Sequence, residues 1–124
     1  MIEGVVTDAL EATVCIQVRG AANKTCEVTA VIDTGFSGDL TLPQIDIDKL
    51  QLTWLCRQQG MLADGSLHTF DVYTGVIDWN GADRPIEIEV AEIEPLLGMS
   101  LLENCSLTID IKDGGKVVVR SLVE

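Results

Sequence analysis

The sequence VIDTGFSGDLTLP, Val31 to Pro43, sets one carboxylate between an apolar run and a turn. The preceding residues CEVTAVI form a near-continuous β segment, so Asp33 stands where a buried strand ends. A carboxylate in that place is costly unless it is hydrogen-bonded or has a chemical task. Two readings follow. Asp at a strand end turns the chain by accepting from a backbone N–H two residues on. At average residue usage the tripeptide Asp-Thr-Gly arises by chance in a chain this long roughly 2% of the time, so it does not decide the matter alone. The other reading makes Asp33 a catalytic acid. Gly35 would then supply a positive φ or let a second backbone approach closely. Thr34 would anchor the loop through its hydroxyl, and Gly38 would be a second permissive position before LTLP resumes an extended chain.

Outward from this stretch the dominant hydrophobic period is two. Val14, Ile16 and Val18 alternate with Thr13, Cys15 and Gln17; Ile86, Ile88 and Val90 with Glu87 and Glu89; Leu107, Ile109 and Ile111 with Thr108 and Asp110. Each reads as a strand with one buried and one wet face. Turn sequences at Ala63-Asp64-Gly65-Ser66, Asn80-Gly81-Ala82-Asp83 and Lys112-Asp113-Gly114-Gly115 separate them. The predicted strands are 2–6, 12–19, 25–32, 52–62, 67–79, 85–92, 106–111 and 116–122. PQIDIDKL, with Pro43 near its first turn, and GMSLLEN, with Leu101 and Leu102 facing inward, predict two short helices. The arms of the hairpin 52–79 exceed the usual strand of about 5–6 residues, which predicts a projection beyond the core. Its small tip has the build of a lid. The expectation is one domain over residues 1–124, all-β, a closed barrel or sandwich with one or two short helices.

The net charge of −12, with only eight Lys and Arg, argues against nucleic acid and against an anionic membrane surface. No apolar run approaches the roughly 20 residues that span a bilayer. MIEGVVTDALEA lacks the basic start of a signal peptide, so a cytoplasmic location is expected. Cys15, Cys26, Cys56 and Cys105 are not at metal-ligand spacing and are read as buried free thiols; no metal or cofactor is expected. His68 reads as a solvated strand residue, and Trp54 and Trp79 as core or cross-strand packing.

The order of these features resembles the retropepsin-like aspartic proteases, most closely the small bacterial group often labelled clan AA. An apolar run enters Asp33-Thr34-Gly35; a long hairpin carries Ala63-Asp64-Gly65-Ser66 at the flap position; PLLGMSLLEN (Pro95 to Asn104) supplies an apolar pair and a glycine; and the hairpin CSLTIDIKDGGKVVV closes the chain. The resemblance covers nearly the whole sequence. It implies that Asp33 is the catalytic acid and that Thr34 hydrogen-bonds the same residue of a second chain. It implies a backbone acceptor for substrate at Gly35, substrate contacts at Phe36, Ser37 and the flap, and a structural role for Leu97 and Gly98, which would end a strand beneath the loop and start the only well-formed helix. The chain departs from the retroviral pattern at Phe36, where Ala is common, at Ser37, where an acid stands, and at the flap tip, which has the single glycine Gly65.

Aspartic-protease chemistry needs two carboxylates, and this chain has one Asp-Thr-Gly. Asp64-Gly65-Ser66 and Asp113-Gly114-Gly115 are turns with no apolar strand leading in. The second acid is therefore expected from a second copy, in a homodimer that hydrolyses a peptide or protein substrate. The strands MIEGVV and KVVVRSLVE are the expected interface, because the triplet Val117-Val118-Val119 would be hazardous at an open edge. Two alternatives remain at this stage: a retropepsin-like module that binds peptide without cutting it, and a protease that a partner must activate. IEIEVAEIEP reads as a wet strand face that also disfavours acidic substrates.

Overall fold

Alternation of apolar and polar residues builds most of the chain into strands. The computed structural model describes residues 1–123. Its strands are β1 (Ile2–Val6), β2 (Ala12–Arg19), β3 (Thr25–Ile32), β4 (Leu40–Leu42), β5 (Thr53–Met61), β6 (Leu67–Trp79), β7 (Ala82–Val90), β8 (Leu96–Leu97), β9 (Cys105–Ile109) and β10 (Lys116–Ser121). Two short helices, α1 (Gln44–Leu50) and α2 (Met99–Leu102), and a 3-10 turn at Ala21–Asn23 complete it. The sheet order is β5-β6-β7-β4-β8-β3-β2-β1-β10-β9, and β6 pairs with β2 as well. That extra pairing joins the two ends of the run from β6 to β2, so the sheet wraps round its apolar face. Val14, Ile16, Val18, Val28, Ala30, Ile86 and Ile88, from the alternating positions of β2, β3 and β7, are buried there. The expected all-β class with short helices holds.

Two strands that alternation did not reveal organise the centre. β4 and β8 have three and two residues, too few to show a period. β8 runs parallel to β3, with Val31 opposite Leu96 and Ile32 opposite Leu97, and β4 runs parallel to β7. Leu40 pairs with Leu97 between them, and both side chains are fully buried. β7 starts earlier than expected, at Ala82, and runs through Pro85. Proline is tolerated because the β4 partners of β7 begin only at Ile88, so Pro85 faces a single neighbour, Val76 of β6.

Helix α1 follows Pro43, buries Ile47 and Leu50, and ends on Gln51 in the left-handed region. It spans seven residues whereas α2 spans four, so the helix after Gly98 is not the only well-formed one, as the resemblance had implied. Leu101 and Leu102 of α2 do face the core.

The β5–β6 hairpin pairs from Thr53–Thr74 out to Met61–Leu67, and nearly every residue of β5 is exposed, as expected of a projecting arm. Trp79 is buried, with the Arg84 guanidinium 5.9 Å from its ring centre. Trp54 is instead 54% exposed, and its indole N–H donates to Asp71. It lies on the outermost strand, which has no second sheet to cover it. The thiols are also less buried than expected: Cys15 is exposed and the other three are half-buried, because Cys15 lies on the face of β2 opposite Val14 and Ile16.

The terminal strands differ most from expectation. β1 and β10 pair with each other inside one chain, from Ile2–Val119 to Val5–Lys116. β2 flanks β1 on its other side and β9 flanks β10. Val117 and Val119 are fully buried, which accounts for the apolar triplet without a second copy. The sheet's outer strands are β5 and β9. Replacing the fully buried Leu97 with Ala should cost about 2–5 kcal/mol, the range for a buried Leu→Ala change. Urea denaturation should show this as a lower midpoint with an unchanged slope.

Candidate active site

Asp33 is the first residue after β3. Its backbone N–H donates to the Leu97 carbonyl at 3.0 Å, and its own carbonyl accepts from the Phe36 N–H at 3.1 Å. Its Oδ1 accepts from the Gly35 N–H at 2.9 Å. Asp33 therefore does form the local turn, and this occupies one of its two carboxylate oxygens. The residue is half-buried, while Thr34, Gly35 and Ser37 are exposed and the Phe36 ring is partly covered.

The loop after Asp33 hangs from the segment that follows β8. The Gly98 N–H donates to Asp39, the Met99 N–H to Phe36 and the Ser100 N–H to Gly38, all at carbonyl oxygens, at 2.9, 2.8 and 3.2 Å. Such close approach needs glycine: a Cβ on Gly98 would run into the Gly38 carbonyl and the Phe36 ring. The same constraint, and not a positive φ, explains Gly35 and Gly38. Among the described residues the positive-φ glycines are Gly65, Gly81 and Gly114. A Cβ on Gly35 would sit 3.2 Å from Asp33 Oδ1, and one on Gly38 would strike the Glu89 carboxylate and the Phe36 ring.

Beside this loop lies a cleft of about 700 Å³. Residues 35–39 form one wall, and residues 58–62 with Phe70, from the shaft of the long hairpin, form another. Glu87 and Glu89 of β7 and Ser100 of α2 close it. The predicted Gly35, Phe36 and Ser37 line it directly. The predicted Ala63, Asp64, Gly65 and Ser66 do not: they stand exposed at the hairpin tip, beyond the cleft. There Asp64 Oδ1 accepts from the Ser66 hydroxyl at 2.6 Å and from the Ser66 N–H at 2.8 Å, which holds the Asp64 carboxyl below its usual range. Gly65 supplies the turn's positive φ of 85°. Leu97 and Gly98 meet the loop through the hydrogen bonds to Asp33 and Asp39. His68 is exposed, with its ring stacked beside Phe70 at 6.3 Å.

Sequence reasoning did not place Asp39, Gln58, Gln59 or Ser100 in the cleft, since all reach it through tertiary contacts. The signal for Glu87 and Glu89 was present in the alternation of PIEIEV, but the choice between solvent and cleft depends on the hairpin above. Burial pushes the Glu89 carboxyl up from its ordinary value, and the nearby charges of Glu87 and Asp39 push it further. Asp39 Oδ2 is engaged by the Glu87 backbone N–H at 3.0 Å.

No protein-family model matches the sequence, and no curated protein matches it. Among solved structures the chain is similar to a retropepsin-like aspartic protease from Rickettsia conorii, at a TM-score of 0.56 and 22% identity, over 96% of this chain and 90% of that one. The chain therefore has the retropepsin-like all-β fold.

Two outcomes follow from this geometry. Gly98→Ala should lower the thermal midpoint and shift the near-UV signal, because the added methyl forces the Phe36–Gly38 segment away from α2. Glu89→Gln should act in the opposite sense. The folded chain holds the Glu89 proton more tightly than the unfolded chain does. Its contribution therefore favours folding at low pH and is lost as pH rises through the folded-state value. The variant should melt higher than wild type at neutral pH, and the gap should close below about pH 4, where both states carry the proton.

Proposed function

We propose that residues 1–124 form one retropepsin-like unit, of the small bacterial clan AA group, that acts in the cytoplasm as an aspartic endopeptidase. The active form is a homodimer in which Asp33 meets Asp33 of a second copy. The observation that carries the reading is the position of Asp33 within the retropepsin-like fold: a half-buried residue at the start of a loop that hangs from Leu97 and Gly98, and whose residues 35–39, but not Asp33 or Thr34, line a cleft beneath a projecting hairpin.

The chemistry follows from electrostatics. Two carboxylates about 3 Å apart cannot both ionise, so the pair shares one proton, as is general for aspartic-protease pairs. The ionised member takes a proton from water as the water attacks the peptide carbonyl. The protonated member hydrogen-bonds the carbonyl oxygen and stabilises the charge that develops there. Collapse of the tetrahedral intermediate returns a proton to the leaving amine. Gly35 would fix one oxygen of each acid through its N–H, as it does within a single chain. Thr34 would bind its counterpart below the acids, and Phe36 and Ser37 would contact substrate. The hairpin tip 63–66 would close over the peptide and exclude water. No metal or cofactor enters the scheme.

Asp33→Asn should leave the circular dichroism spectrum and the sedimentation coefficient unchanged and reduce cleavage of a peptide library at about pH 4–6 to background. Equal cleavage by both proteins would rule the assignment out. Wild-type activity per chain should rise with protein concentration until the dimer is saturated.

A further inference from the structure

The cleft beside the Asp33 loop carries charge that peptide hydrolysis does not require. Glu87 and Glu89 project from β7 on the face opposite the buried Ile86 and Ile88, and both line the cleft with Asp39. No Lys, Arg or His is in the lining. The ion pairs among the described residues, Arg19–Asp83 and Arg57–Asp71, leave these three acids uncompensated. Glu89 is the half-buried member of the pair, and its carboxylate lies beside Gly38, where an added Cβ would strike both it and the Phe36 ring. A half-buried carboxylate with two like charges beside it is costly to the free protein, and a cation placed in the cleft relieves that cost.

The surroundings select the form of the cation. Among the described residues no three acidic, His or Cys groups converge closely enough to hold a metal ion. The remaining walls are Met61, Leu62 and Phe70, which are apolar, and the amides of Gln58 and Gln59. An aliphatic stem with a charged head matches that lining, since Lys and Arg lay their methylene chains along apolar surface and keep the head polar. The cleft's location along the candidate catalytic loop makes it a side-chain subsite of a bound peptide.

We infer that this cleft is the subsite for a positively charged side chain, Lys or Arg, of the substrate, with Glu89 as the specificity-determining residue and Glu87 and Asp39 reinforcing its field; the inference rests on the endopeptidase reading above.

The test uses a peptide library in which each position carries Lys, Arg, Gln, norleucine or Glu in turn. Wild type should show a kcat/KM about tenfold higher for Lys or Arg than for Gln at one fixed position from the scissile bond. Glu89→Gln should lower that ratio about fivefold while still cutting neutral peptides, and Glu89→Lys should turn the preference towards Glu. Added salt should weaken the wild-type preference, because the cleft is open to solvent. Identical profiles for wild type and Glu89→Gln would overturn the assignment. So would loss of all cleavage in a folded Glu89→Gln, which would place Glu89 in the chemistry instead. If wild type cuts nothing, the hydrolysis reading fails and binding decides the subsite. Fluorescence anisotropy should then show Lys or Arg peptides binding more tightly than their Gln counterparts to wild type but not to Glu89→Gln. Equal affinities would reject the subsite.

Discussion

The ladder of backbone hydrogen bonds between residues 33–39 and Leu97-Gly98-Met99-Ser100 is the constraint on which the site depends. Four N–H groups, from Asp33, Gly98, Met99 and Ser100, find carbonyl partners across it. The Asp33 bond extends the parallel β3–β8 pairing past the end of β3, and the other three lie outside any strand ladder; Leu97 and Gly98 are buried, where an unpaired backbone group is expensive. The loop is thereby fixed at several points by backbone hydrogen bonds. Its geometry is sensitive to a single methyl group at Gly98 and to the packing of Leu97 beneath it. Catalytic residues on loops need this kind of support, because a carboxylate displaced by an ångström loses its alignment.

Much of the architecture was legible because it depends on period-two patterning and turn residues. β2, β3 and β6 fell where alternation placed them, and the turn sequences separate strands as read. β4 and β8 were not legible, since a two- or three-residue strand has no period; its identity lies in partners far along the chain. The same limit applied to the site. Asp33 could be singled out because a carboxylate ending an apolar strand is locally anomalous. Gln58 and Ser100 are locally ordinary and matter only through their position around the cleft. Gly35 was read as allowing a positive φ or a close approach and Gly38 as a permissive position; the structure shows close neighbours and no positive φ at either.

Charge in this chain is unevenly used. Asp64 and Asp71 have hydrogen-bond donors that lower their proton affinity, from Ser66 in the first case and from Trp54 and Arg57 in the second. Asp64 is exposed and Asp71 half-buried, and they serve local turn and strand geometry. Glu89 has the opposite environment, with burial and like charges and no compensating cation. Carboxylates thus divide into those given donors that lower their proton affinity and Glu89, whose surroundings raise it.

The internal pairing of β1 with β10 has a consequence for how such a protein reaches its working form. Where terminal strands of two copies must interleave, folding and association are one event, and the lone chain has little stability. Here the terminal strands are already zipped together and their valines buried, so each copy completes its sheet alone. Under the endopeptidase reading proposed above, synthesis would deliver a folded single chain that carries one of the two acids such a centre requires. On that reading a lone copy would be inactive for want of its second acid, and dilution alone would return a pair to that state.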